Sequence, residues 1–208
     1  MALVKYNNNS ISAVTSAASI PSGALTHIKT LTASSSSTLS FVHGSNGVVL
    51  DSTYPIYVFK FINIHTSYNE SFFEMNMSVN GGSNYNVAKT TTYFKATHAE
   101  NDNGGSVGYD TAQDLAQGTG WKRLFGELGG ENDESSSGEM TLFNPSSTTF
   151  VKHFMCNANV AQSDSDSFNC ITAGYANTTS AVNAVIFQIG YGGNIQSGKI
   201  KLYGIKDS

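Results

Sequence analysis

Charge is the scarcest commodity in this chain. Only 12% of its 208 residues are Asp, Glu, Lys or Arg, about half the share found in an average soluble protein. Ser, Thr, Asn and Gly fill the gap, so the surface is polar through hydroxyls and amides. The 11 Lys and Arg are spread thinly and the formal net charge is -4, which leaves no basic stripe to neutralise phosphates and argues against a nucleic-acid partner. No run of ~18 apolar residues is present to cross a bilayer as a helix, and no membrane partner is expected. The opening MALVKYNNNSISAVTSAASIPSG has neither the charged start nor the continuous apolar stretch of a secretory signal. The expectation is a chain made in a cytoplasm, or assembled there into something larger.

Cysteine is equally sparse. Cys156 and Cys170 are the only two, and their spacing gives neither a zinc site nor a disulfide-dense scaffold. Cys156 lies in an apolar run and reads as a buried free thiol; a Cys156 to Cys170 disulfide is the alternative.

The chemistry of known catalytic motifs is missing as well. His27, His43, His65, His98 and His153 stand far apart, with no spacing that would put two imidazoles on one metal. There is no Gly-x-Ser-x-Gly elbow, phosphate loop or dinucleotide fingerprint. The acids of GENDESSSGE, namely Glu131, Asp133, Glu134 and Glu139, could in principle act as a glycosidase pair. They sit in a hydrophilic stretch with no apolar wall to raise one pKa. HAENDNGG and QSDSDS offer Glu100, Asn101, Asp102, Asp164 and Asp166 as oxygen ligands for calcium, but neither completes a twelve-residue loop with its terminal Glu, and solvated turns are the preferred reading. No catalytic residue, metal ligand or cofactor-binding residue is assigned, and the chain is expected not to be an enzyme. Tyr68, Tyr85, Tyr109 and Trp121 lie at loop edges where a flat ring could stack on a sugar, although core or interface packing suits each of them better.

What the chain has in abundance is strand. In TYPIYVFKFINI, residues 53–64, Ile56, Val58, Ile62 and Ile64 fall on one face and Tyr57, Phe59 and Phe61 on the other, the pattern of a central strand covered on both sides. SFFEMNMSV, residues 71–79, alternates Phe73, Met75, Met77 and Val79 against Glu74, Asn76 and Ser78, which predicts one wet face. With the turns HTSYNE and NGGSNY, residues 53–95 read as an antiparallel meander. EMTLFNP, TTFVKHFMCNANV, NCITAGYA, VNAVIFQIGY and KIKLYGI continue the pattern, parted by Ser, Asn, Asp and Gly clusters. The last two of these, residues 182–205, predict a closing hairpin with Ile200 and Leu202 inward and Lys199 and Lys201 outward. One short helical turn is expected in YDTAQDLAQGTGW, residues 109–121, capped by Asp110 or Thr111 and stopped by Gly118. The fold class is therefore all-β, an antiparallel sandwich. Residues 1–22 read as an extended N-terminal arm or linker and residues 23–208 as a single sandwich domain.

Three stretches, DSTYPIYVFKFINIH, GEMTLFNPSSTTFVKHF and GGNIQSGKIKLYGIK, together with the MALVKYNNNSIS start, resemble a group of structural proteins from tailed bacteriophages of marine cyanobacteria and related hosts. The likeness covers nearly the whole chain. Its motifs are strand and turn signatures, so it implies a jelly-roll-like sandwich displayed on a capsid or tail, localised in the virion, and carries no catalytic residue over. The partners it implies are other virion proteins and further copies of the same chain in a symmetric oligomer. Two functions follow as expectations: a decoration or appendage subunit that binds its neighbours in the particle, or alternatively a receptor-binding module of a tail fibre whose tips hold a host-surface glycan.

Overall fold

In the computed structural model, residues 25–163 and 165–207 are described; the arm expected over residues 1–22 and the candidate ligand Asp164 lie outside them. Alternating apolar residues produce twelve strands: β1 (Thr26–Thr32), β2 (Thr38–Val42), β3 (Ile56–Thr66), β4 (Ser71–Ser78), β5 (Lys89–Ala99), β6 (Gly105–Tyr109), β7 (Lys122–Leu128), β8 (Ser136–Phe143), β9 (Lys152–Gln162), β10 (Asp166–Ala176), β11 (Ala184–Ile189) and β12 (Ile195–Ile205). All pairings are antiparallel. One layer runs β1-β12-β3-β8-β9-β10-β5-β6 and the other β7-β4-β11-β2, joined at a corner by the single pair Leu128 and Gln162. The chain changes layer at every connection except β5 to β6, β8 to β9 and β9 to β10. This wrapping of strand pairs around a common interior is a jelly roll.

Both layers are glued by phenylalanine. Phe59 and Phe61 of β3 form one cluster with Phe41 of β2, Phe73 of β4, Phe125 of β7 and Phe187 of β11, in which neighbouring ring centres lie 4.9 to 6.3 Å apart. Most of these pairs are edge to face, the arrangement that the ring quadrupole favours. Ile200 and Leu202 of β12 are fully buried in the same core, as the alternation predicts.

Several expectations change. The stretch 53–95 is not a meander: β3 pairs with β12 and β8, and β4 pairs with β11 and β7 in the opposite layer. The closing hairpin is likewise absent. The connection after Ile189 crosses from one layer to the other, so β11 lies between β4 and β2 while β12 lies between β1 and β3. A short Gly-rich connection suits a hairpin and a crossing equally well, and alternation alone does not choose a strand's neighbours. The predicted wet face of β4 is also wrong, because all eight residues of the strand are buried. Glu74 faces Arg123 and Gln188, and Asn76 donates to the Thr119 carbonyl and accepts from Lys89 Nζ at 2.7 Å.

β3 is an interior strand as expected, but its second side is covered only in part: Val58 is buried there and Ile56 half-buried, while the far end is open. Tyr57, Phe59 and Phe61 are buried while Ile62 is exposed and Lys60 pairs outward with Glu139. Asn63 then adopts φ +49, the register against β8 slips, and Ile64 turns into the core. Opposite this bulge Gly198 has φ +112, and a side chain there would strike the Asn63 carbonyl. Only glycine fits such a site without strain. The short turn near residue 110 forms as expected: a 3-10 turn at Thr111–Gln113, with the Asp110 carboxylate accepting from the Ala112 N–H. Strands β1, β2, β6 and β7 were not foreseen.

Cys156 and Cys170 are free and buried, and Tyr93 Oη donates to Cys170 Sγ at 3.1 Å. Burial pushes both thiols up. More unusual are Lys89, Lys122 and Lys152, all fully buried, each with its ammonium on a backbone carbonyl. Burial pulls Lys89 and Lys122 down to about 8. Unfolding returns them to the ordinary value near 10.5, so between pH ~7 and ~9 the unfolded chain binds more protons and stability rises with pH. Cys156, Cys170 and Tyr93 are all raised by burial. Above pH ~9 they reverse the slope, because the unfolded state then loses protons first. The melting temperature is expected to climb by about 3–6 °C from pH 7 to pH 9 and to turn over above it. A profile flat over that range in calorimetry would show that these ammoniums carry no burial penalty.

Candidate functional site

A cleft opens at one tip of the sandwich, where the β3–β4 turn, the β11–β12 turn and the ends of β7 and β9 converge. It measures about 1040 Å³ and is lined by Tyr68, Asn69, Glu70, Phe72, Glu127, Gln162 and Tyr191. Tyr68 and Tyr191 are 54% and 62% exposed, so two aromatic faces are offered to solvent at its rim. Behind them the Arg123 guanidinium lies 4.0 Å from the Phe72 ring centre and 5.3 Å from that of Tyr191, and one of its nitrogens donates to Tyr191 Oη at 3.1 Å. Arg123 also reaches Glu74 at 3.5 Å. The stack fixes Tyr191 in a preferred orientation, since a guanidinium is attracted to the face of each ring. Gly126 makes room for it, because a methyl group at that position would run into the Phe72 ring.

The backbone around the cleft is held under strain. Glu70, Glu127 and Tyr191 have φ of +56, +60 and +57, each at a cost of roughly 1–2 kcal/mol for a residue with a side chain. Three of the ten such non-glycine residues among those described therefore line one cleft, and strain of this kind gathers where a surface is shaped for a purpose. Glu127 shares its carboxylate with Lys95 at 2.7 Å, and Asn69 Oδ1 accepts from the Gly130 N–H at 2.6 Å. The result is apolar ring faces beside carboxylate and amide groups, the combination that meets the apolar faces and hydroxyls of a sugar.

Of the aromatic residues singled out in the sequence, only Tyr68 is in this cleft. Tyr85 and Trp121 are half-buried, and Tyr109 stands on β6 with its hydroxyl on Asp114. Phe72 and Tyr191 were missed as site residues. The Gly-Tyr-Gly-Gly turn was a signal for Tyr191, since an aromatic side chain at a tight turn points outward. The GENDESSSGE acids do not act as a pair. Glu139 is held by Lys60 on the outer face of the sheet, while Glu134 accepts from the Glu131 N–H at 2.6 Å and lines a separate hollow of about 290 Å³ with Asp133 and His65. The two proposed calcium loops do come together: Ala99 pairs with Asp166, and the Glu100 N–H reaches the Ser165 carbonyl at 3.0 Å. Among the described residues no group of three His, Cys, Asp or Glu is placed to hold a metal ion.

A second surface stands out by its lack of charge. β9 alternates strictly between buried and exposed, and with β10, β5 and β6 it presents the outward positions 153–161, 167–175, 90–98 and 105–109. None of these outward positions is Asp, Glu, Lys or Arg. Met155, Ile171, Phe94, Tyr109 and Val107 are exposed on it at 56%, 45%, 45%, 47% and 83%. Loss of charge together with exposed Met and aromatic side chains is the composition of the core of a protein contact.

No protein-family model, curated protein or solved structure matches this chain.

Proposed function

We propose that this protein is a non-enzymatic virion subunit of a tailed bacteriophage, a decoration or appendage protein on capsid or tail that works by binding its neighbours. The observation that carries the reading is the uncharged outward face of β9, β10, β5 and β6, which has the make-up of a docking surface on a chain whose sequence resembles phage structural proteins. The test is mass spectrometry of density-purified phage particles followed by a density map of the intact virion. The chain should be present at a regular copy number, with that face against another protein. Its absence from purified particles would overturn the reading.

The tip cleft favours a second reading, in which the same sandwich holds a host-surface glycan. Tyr68→Ala and Tyr191→Ala would then each weaken binding to purified host polysaccharide about tenfold, equivalent to ~1.4 kcal/mol, with melting unchanged. Equal binding by wild type and both variants removes the cleft from consideration as a sugar site.

A further inference from the structure

We infer that the outward face of β9, β10, β5 and β6 docks on the same face of a second copy of this chain, across a two-fold axis. The inference rests on reading that face as a docking surface, and it commits to the partner. Its first support is electrostatic. Two copies each carrying a net charge of -4 repel through most of their surfaces, and a like-charged contact is costly. This face escapes that cost, because its outward positions hold no charged side chain and its two histidines, His153 and His98, stand at opposite ends.

The second support is shape. The strand register places Asn157, Ile171, Phe94 and Tyr109 in one row across the four strands, with three large apolar side chains standing up as a ridge. In the adjoining row Ala173 lies between Met155 and Thr92, and its small side chain leaves a furrow, part of a hollow of about 460 Å³ that also includes Phe143, His153 and Tyr175. A two-fold axis lying in the contact plane, parallel to the rows and between them, brings the ridge of each copy over the furrow of the other. An isologous contact needs this self-complementarity, and a single flat patch would not provide it.

The third support is area. Three strands spaced by ~4.8 Å, each presenting nine residues at ~3.3 Å, cover about 14 by 30 Å, and the five residues of β6 add a strip about 5 by 16 Å. That is roughly 500 Å² per copy, or about 1,000 Å² in total, the size of a weak and transient contact. The expected product is a reversible dimer that forms with rising concentration.

Sedimentation of the full chain over roughly 1–100 µM, where a weak reversible contact is populated, should show a monomer passing to a dimer. The double variant Phe94→Lys, Ile171→Lys puts four ammonium groups into the contact and should stay monomeric throughout, with the circular dichroism and melting curve of the wild type, because both side chains point outward. Thr92→Arg, which fills the furrow without touching the ridge, should also block association. A wild type that remains monomeric at the highest concentration overturns the inference. So does a dimer that survives in both variants. If the wild type is monomeric but the lysine variant fails to join the virion, the face docks on a different protein; the functional reading then stands and the two-fold partner is excluded.

Discussion

Leu202→Asp is expected to leave no folded protein at ordinary temperature, while Lys201→Asp one position earlier should pass almost unnoticed. Leu202 is fully buried on β12, paired with Phe59 of β3 on one side and Lys29 of β1 on the other. A carboxylate there has no partner, and burying it costs several kcal/mol whether it stays ionised or takes up a proton. Against the 5–15 kcal/mol of a typical domain, added to the lost packing of the leucine, this removes most or all of the stability. Lys201 points outward opposite Lys60, so an aspartate there exchanges a like-charge neighbour for an opposite one. Its effect should be under ~0.5 kcal/mol and of stabilising sign. Thermal unfolding followed by circular dichroism distinguishes the two. If both changes prove equally mild, β12 is not part of the core.

Phe187→Ala should lower the melting temperature by about 10–15 °C without unfolding the protein at 25 °C. Phe187 touches Phe41, Phe59, Phe61 and Phe73, and so bridges β2, β3, β4 and β11 from both layers. Truncating a buried phenylalanine costs about 3–5 kcal/mol, through lost transfer energy and the cavity left behind, and each kcal/mol shifts melting by roughly 2–4 °C in a chain of this size. Phe150→Ala is the control. Its ring is 69% exposed and the change should fall within ~0.5 kcal/mol. A shift for Phe187→Ala no larger than the control would mean that the ring cluster can close over the hole, contrary to its dense edge-to-face packing.

These contrasts show what period-2 alternation does and does not encode. It places Ile200, Leu202, Phe59 and Phe61 in the core correctly, because the face of a side chain depends only on its own strand. It is silent about neighbours. The pairing of β12 with β1 joins residues more than 160 positions apart, as in Thr26 with Gly204, and no local signal announces it. The wet face expected for β4 failed for a related reason. Glu74 and Asn76 look like solvent residues until Arg123, Lys89 and Thr119 arrive from elsewhere in the chain to satisfy them. The tip cleft was legible only through Tyr68. Phe72 reads as core and Tyr191 as part of a glycine turn, and their meeting over Arg123 depends on the two turns ending at the same tip. The short 3-10 turn, by contrast, was readable because its cap is local: Asp110 is two residues from the N–H it accepts.

The interleaving of the two layers also sets when folding can happen. Neither layer is continuous in the chain, and the first described strand, Thr26–Thr32, has the strand Ile195–Ile205 as its neighbour. On the ribosome, β1 therefore waits for residues made more than 160 positions later before it can pair with β12, and one edge of β3 waits with it. Only β5 with β6 and β8 with β9 and β10 can pair with a sequence neighbour as they emerge, and closure of the long loops among the other strands makes the search slow. Until residue 205 has been made, β1 and β3 keep bare edges that invite pairing with other nascent chains. Truncation anywhere before β12 should thus yield aggregates and not a smaller folded product, because β12 covers the edges of both β1 and β3.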